Sequence, residues 1–276
     1  MTALGTDLTA LLHNWDTYWL GWGVRDRGSV DGLAYHVSGV PHPILNGVTS
    51  SAAPASEVLP ELRERLRGLP WVWQVSPLSR PGTVDELLAG GGVDAGSLDV
   101  MALDPAAFRP VAEPPAGLSV NEVPAEADLG PWVDGYRDAF GVPPEARDLT
   151  VGVERQRSYD AGARTRLVGV LAGSVVATTE VLVTGTVAGI YVVATQAEHR
   201  GRGIATALVS AGVERALRDG ATAVTLQAEP GALGVYRRVG FRSVSHLTSV
   251  YFAPAPAPAP KSSAAERAPR TVARST

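Results

Sequence analysis

The sequence predicts a mixed α/β fold. Three observations predict it. Short β-rich runs alternate with helical stretches from Leu118 to Phe252, and a strongly amphipathic stretch follows a glycine-rich turn at residues 200–203. A similar order of elements recurs, more faintly, between Leu33 and Leu103. Apolar residues make up 45% of the chain against 19% charged, which supplies the material for a core.

In chain order, Leu33–Val40 reads as a strand, Glu57–Leu66 as a helix and Trp71–Val75 as a strand. Val84–Leu88 then reads as a short helix and Ser97–Leu103 as a strand. The second half opens with a strand at Leu118–Val123 and two helical stretches, Asp128–Phe140 and Glu145–Asp160. Arg166–Leu171 and Ser174–Val183 are strands joined at Ala172-Gly173, a hairpin signal, and Val187–Ala194 is a third strand. Ala205, Leu208, Val209, Gly212, Val213, Ala216 and Leu217 then line one face of a helix. Glu214, Arg215, Arg218 and Asp219 take the other face, and Gly220 is the stop. Ala223–Ala228 is a strand, Ala232–Val239 a short helix and Ser243–Phe252 a last strand.

The order strand–helix–strand–helix–strand is thus shared by Leu33–Leu103 and Val187–Phe252, as a diverged internal repeat would have it. The expected organisation is a degenerate first half over residues 1–110, a second half over 117–252 that carries the chemistry, and an Ala/Pro-rich tail over 253–276. Proline fixes φ and has no N–H, so the tail is expected to be extended and solvated. In the first half the turn after the first strand, Gly39 to Gly47, carries Pro41 and Pro43. Proline cannot donate a backbone hydrogen bond, so this turn is poorly suited to cradle a phosphate.

Composition excludes several classes. The chain has no cysteine, which removes disulfides, thiol nucleophiles and Cys-ligated metals. No apolar run is long enough to span a membrane, and the N-terminus lacks the basic start and apolar stretch of a secretory signal, so a cytoplasmic location is the expectation. A formal charge of −4, with no basic stripe on any predicted element, gives no footprint for nucleic acid. His36 and His42 flank the proline-rich turn without a third ligand at metal spacing, and no metal site is expected.

The chemistry is concentrated in the run from Val192 to Ala205. A strand ends, the chain passes through Arg200-Gly201-Arg202-Gly203, and the long helix begins. Amides at a helix start have no intrahelical partner, and the helix dipole adds partial positive charge there. Glycines let the main chain approach a ligand, and two arginines add charge. Together these are the parts of a pyrophosphate site. The plainer alternative is a glycine-containing turn with solvated arginines.

This segment resembles the cofactor motif of the GNAT superfamily of N-acetyltransferases, in which Gln or Arg is followed by two residues, Gly, one residue, and Gly or Ala. Arg200, Gly203 and Ala205 meet it here. A second feature follows in register: Tyr236 precedes the pair Gly240-Phe241, as a tyrosine does in the family's closing segment. The first half is similar, more faintly, to the degenerate copy of two-domain members. The resemblance implies a duplicated arrangement of a central mixed, mostly antiparallel sheet flanked by helices. It implies acetyl-CoA as cosubstrate, held by Val193, Ala194 and Thr195 on a splayed strand and by Arg200, Gly201, Arg202, Gly203, Ile204 and Ala205 at the phosphates. The strand Ala223–Ala228 would form the other lip of the opening.

The implied reaction is attack by a primary amine of a small molecule on the thioester. Tyr236 matches the acid that protonates the departing thiolate, its alternative being an aromatic packing residue. Glu180 is the candidate base, against a plain carboxylate on a half-exposed strand; Tyr191 and His199 are further polar candidates, and Glu229 stands where the family often has Asn or Ser. Trp15, Tyr18, Trp19 and Trp22 have near-helical spacing and form either core or one wall of an acceptor pocket. Two other readings stay open: a CoA-binding sensor or interaction module without turnover, and a protein N-acetyltransferase. Oligomeric state is not legible.

Overall fold

The computed structural model describes residues 7–30, 33–158 and 163–255. The first half comprises α1 (Leu8–Leu20), β1 (Asp26–Val30), β2 (Leu33–Val37), β3 (Asn46–Ser50), α2 (Ala55–Arg65), β4 (Trp71–Val75), α3 (Thr83–Ala89) and β5 (Val93–Leu103). The second comprises β6 (Leu118–Glu122), α4 (Gly130–Phe140), α5 (Arg147–Gln156), β7 (Ala163–Leu171), β8 (Ser174–Thr184), β9 (Val187–Thr195), α6 (Ile204–Arg218), β10 (Ala223–Ala228), α7 (Leu233–Val239) and β11 (Arg242–Phe252). The expected end of the second helical stretch at Asp160, and the tail beyond Ala255, lie outside the described residues.

Local chemistry accounts for the elements that matter most to the site. The β7–β8 hairpin turns through Ala172 and Gly173, both at positive φ, which matches the right-handed twist of the flanking strands. Helix α6 buries Leu208, Val209, Val213 and Ala216 against the sheet and stops at Gly220, whose φ is +88°. In α1, Trp15, Tyr18 and Trp19 pack inward, while the Asp7 carboxylate caps the helix by accepting the Thr9 N–H at 3.0 Å.

All described strands join one sheet in the order β1-β2-β3-β4-β11-β5-β10-β9-β8-β7-β6. Pairing is antiparallel except for β3 with β4 and β9 with β10. Those two parallel pairs are the matching points of the two halves, so β3-α2-β4-α3-β5 answers to β9-α6-β10-α7-β11. The expected match of Leu33–Val40 with Val187–Ala194 is therefore corrected by one strand: the residues of the proline-rich turn lead into β3, which folds back antiparallel on β2. Gly47 is required there, because a Cβ at that position would collide with the Val72 carbonyl oxygen of β4. The turn equivalent to residues 196–203 is Ser51–Pro54, not Gly39–Gly47. At its helix start the Glu86 carboxylate accepts the Ser56 N–H at 3.3 Å and Glu57 adds a second negative charge, so the first half offers an anion nothing comparable.

The last strand of each half completes the sheet of the other. Strand β11 lies antiparallel to β4, and β5 lies antiparallel to β10, with β5 and β11 paired to each other in the middle. The expected boundary at residues 110–117 falls in the connection between β5 and β6. Helix α1 also crosses over: Asn14 Nδ2 donates to the carbonyls of Leu182 and Val187 and to Thr184 Oγ1, at 2.8–3.2 Å. No helix among the described residues is long and apolar enough to cross a membrane.

Candidate active site

Strands β9 and β10 pair only from Val187 to Gly189 with Ala223 to Thr225, and then part. The cause is a bulge in β9. Thr178 faces Ala194 and Glu180 faces Tyr191, so Val192 and Val193 together oppose the single residue Thr179. Val192 sits at φ +49°, a rare conformation for a β-branched residue. Two threonines of β8 hold it there: Thr178 Oγ1 donates to the Val192 carbonyl at 2.8 Å, and Thr179 Oγ1 to the Tyr191 carbonyl at 3.4 Å. Nothing in the sequence marks Val192; the strain follows from a register only the folded sheet defines. Beyond Gly189, β9 has a hydrogen-bonded strand on one side only, leaving main-chain groups of the expected Val193–Thr195 stretch facing the gap.

The chain leaves β9 through a 3₁₀ turn at Ala197–His199 and enters α6 by way of Gly201 at φ +75° and Gly203 at φ +78°. Arg200 Nε donates to the Thr195 carbonyl at 3.1 Å, tying the loop to the strand end, and the side chains of Arg200 and Arg202 are exposed. Ala207 is the first residue of α6 whose N–H returns to the helix, to the Gly203 carbonyl at 3.0 Å. No side chain caps the amides before it, and the first turn carries no acidic residue. A Cβ on Gly201 would meet nothing within 4 Å, and one on Gly203 only Pro115 Cγ at 3.9 Å, so the space before these amides is open. Uncapped amides, a helix dipole and two arginines fit the diphosphate of a nucleotide such as coenzyme A.

Gly203→Val tests that fit. The left-handed conformation costs an L residue about 1–2 kcal/mol, and relaxing it turns the amides away. Acetyl-CoA affinity, read by calorimetry, is expected to fall about tenfold, which is ~1.4 kcal/mol. Gly173→Val, in the remote β7–β8 turn at φ +83°, carries the same strain and should leave affinity unaltered. Equal affinities in the two variants would remove the loop from the site.

The gap opens into a cavity of about 460 Å³ between the two halves. Tyr236 lines it from α7 and is only 7% exposed. Burial, reinforced by the negative charge of Glu229, pushes its phenol up to about 12, so the hydroxyl stays protonated through neutral pH. Trp15, Tyr18 and Trp19 reach the cavity from α1, and Tyr191 from β9. Trp15, Tyr18 and Trp19 are therefore both core and wall, while Trp22 is core alone.

Glu180 is not at the cavity. It is fully buried behind Tyr18, whose hydroxyl donates to its Oε2 at 2.9 Å, while Arg157 Nη2 donates to the same oxygen at 2.9 Å. Arg166 and Arg164 stand 3.4 and 3.6 Å from its Oε1. A carboxylate sealed behind Tyr18 and Arg157 in this way has no contact with a substrate in the cavity. The expectation that Glu180 is the base is corrected: it positions Tyr18, and the wall in front of it. The same cluster contains Glu154, which accepts from Trp132 Nε1 at 3.1 Å, from the Tyr136 hydroxyl at 2.9 Å and from Arg157 Nη1 at 2.8 Å.

His199 lies in the 3₁₀ turn and not among the cavity residues. His36 is buried, stacked on Trp19 at 5.4 Å between centroids, and burial lowers its imidazole to about 4. His42 does line the cavity; burial lowers its pKa, opposed by a hydrogen bond to the Phe140 backbone. Among the described residues no group of three His, Asp or Glu side chains is placed to hold a metal ion.

Residues 131–241 match the model of the acetyltransferase (GNAT) family. Among solved structures, a GCN5-related N-acetyltransferase from Kribbella flavida aligns with a TM-score of 0.59 at 20% identity, over 87% of this chain and 95% of that one. A tandem GNAT protein from the clavulanic acid biosynthesis pathway aligns with a TM-score of 0.57 at 15% identity, over 91% of this chain and 97% of that one. An acetyltransferase-like GNAT protein from Novosphingobium aromaticivorans aligns at 0.53 and 16% identity, over 86% and 95%. At such identities the likeness is one of fold, and it extends over both halves. No curated protein sequence matches the chain.

Proposed function

We propose that this chain, a member of the acetyltransferase (GNAT) family through residues 131–241, transfers an acetyl or other short acyl group from acetyl-CoA to a primary amine of a small molecule. The observation that carries this reading is the parting of β9 from β10 beside the uncapped start of α6, with protonated Tyr236 in the same cavity.

Acetyl-CoA supplies an activated acyl carbon and a thiol leaving group. The amine reaches the reaction as its free base, a proton having passed to water or to a cavity group. Its nitrogen attacks the thioester carbonyl, the C–N bond forms and negative charge gathers on oxygen. Main-chain N–H groups on the open side of β9 are the donors available to that oxygen, an effect worth about 3 kcal/mol per donor. Collapse breaks the C–S bond, Tyr236 gives its proton to the sulfur, and the nitrogen loses its surplus proton to water, from which the tyrosinate is reprotonated. The products are the amide and free CoA.

The displacement of Glu180 from the cavity favours one competing reading, a module that binds CoA without turnover. Purified protein, acetyl-CoA and a panel of amines, with thiol release followed, separates the two. Release above the no-amine rate with any panel member supports transfer; calorimetric CoA binding with no release across the panel replaces it by the binding module.

A further inference from the structure

We propose that the acceptor, on the acyl-transfer reading above, is a primary amine on an aromatic or bulky apolar body, seated between the halves with its ammonium toward Glu229. The chemistry of the cavity wall carries this. Among the described lining residues there is no lysine or arginine and one carboxylate, Glu229, while burial keeps His42 toward its neutral form. The wall therefore attracts a cation and repels an amine that also carries carboxylate or phosphate.

The rest of the wall is carbon. Tyr18 and Tyr191 are stacked at 3.6 Å between centroids, and their polar ends are already engaged. The Tyr18 hydroxyl donates to Glu180 and the Tyr191 hydroxyl donates to Asn14 Oδ1 at 2.6 Å. What the pair presents toward a ligand is carbon, chiefly the Tyr191 ring, with Tyr18 fully buried against it. Trp15, Trp19 and Phe140 add more of the same, and no serine, threonine or asparagine is among the described residues of the wall. A sugar or polyol would bury hydroxyls there without partners, at a cost that an aromatic ring avoids. The clear exception is Gln227, whose two side-chain polar atoms are buried with no protein partner although the residue lines the cavity two positions before Glu229. A buried amide left open in this way is accounted for by a ligand, and an ammonium is a donor its oxygen lacks. Aromatic faces add cation–π attraction for the same head group.

The test compares matched amines at fixed acetyl-CoA, with two readouts: thiol release, and calorimetric binding of the amine to the CoA-loaded protein. 2-Phenylethylamine and tryptamine are expected to exceed glucosamine and ethanolamine in kcat/KM by about 100-fold. Phenylalanine, which adds only a carboxylate to phenylethylamine, should fall by a similar factor. Glu229→Gln should raise the KM for phenylethylamine about tenfold, the scale of one modest ion contact. Ala139→Trp, at an exposed position on the cavity rim, should lower its kcat/KM about tenfold by filling the space. Thiol release fastest with glucosamine or phenylalanine, and aromatic amines that neither react nor bind, would overturn the substrate class while acyl transfer stands. Aromatic amines that bind, and bind less well to Glu229→Gln, without thiol release would uphold the pocket and remove the transfer reaction. Absence of both binding and release would remove both.

Discussion

Replacing Arg157 by leucine is expected to cost the folded protein about 3–5 kcal/mol, the loss associated with breaking a buried ion pair from one side. Its side chain is 0% exposed and joins two carboxylates with the same exposure, donating to Glu154 at 2.8 Å and to Glu180 at 2.9 Å. The guanidinium also lies 4.1 Å from the centroid of the Trp22 ring. Leucine fills part of the volume and leaves two acids beside Arg166 and Arg164, both partly exposed. For a chain of this size the loss corresponds to a fall of about 10 °C in Tm. Arg67→Ala, which removes an exposed i,i+3 partner of Glu64, should cost less than about 0.5 kcal/mol. Similar losses in the two variants, by thermal and denaturant unfolding, would refute the buried cluster as a stabilising unit.

The cluster also predicts an acid transition. Burial works against the Glu154 charge, but Arg157, Arg166 and the hydrogen bonds from Trp132 and Arg166 override it and hold the carboxyl at about 2. A folded-state value below the ordinary one means a contribution fully present above pH ~4.5 and lost as the pH falls toward ~2, worth about 3 kcal/mol. Stability should therefore drop steeply in that window. In Arg157→Leu the drop should begin at higher pH, because the charge that holds the Glu154 proton off is gone.

The second large effect is on turnover. Tyr236→Phe is expected to lower kcat about 100-fold, the ordinary scale for loss of a general acid, with acetyl-CoA affinity within about twofold. The ring packs edge-on against Phe241 at 6.3 Å between centroids, and phenylalanine keeps that contact, so the fold is preserved. An acid works below its pKa, and the Tyr236 phenol, proposed as that acid, is pushed up to about 12. The wild-type rate should then show no alkaline fall due to Tyr236 below about pH 11. An unchanged kcat in the variant would take Tyr236 out of the mechanism.

The second half was legible because its signals are local. The hairpin at Ala172-Gly173, the apolar stripe of α6 and the Arg200–Ala205 turn are each written within a dozen neighbouring residues. The uncapped α6 start follows from the same stretch. What was not legible depends on partners far away in the chain. Glu180 looks like any strand carboxylate until Arg157 and Tyr18 are brought to it. The aromatic spacing of α1 shows a helix face, but only Asn14 reaching Leu182 and Val187 reveals which half that face serves. In the first half the register of the repeat slips by one strand because β2 and β3 are both short and β-rich. Only the parallel pairing with β4 tells them apart.

The exchange of β5 and β11 bears on how the protein is made. A ribosome delivers the first 110 residues long before the strand that belongs beside β4, since β11 begins at Arg242. Until then β4 is an open edge with its hydrogen-bonding groups unused, and β5 has neither of its neighbours. The nascent first half is therefore expected to stay half-zipped until β11 joins β4 and β5. Deleting that strand would unmake the beginning of the protein as much as its end.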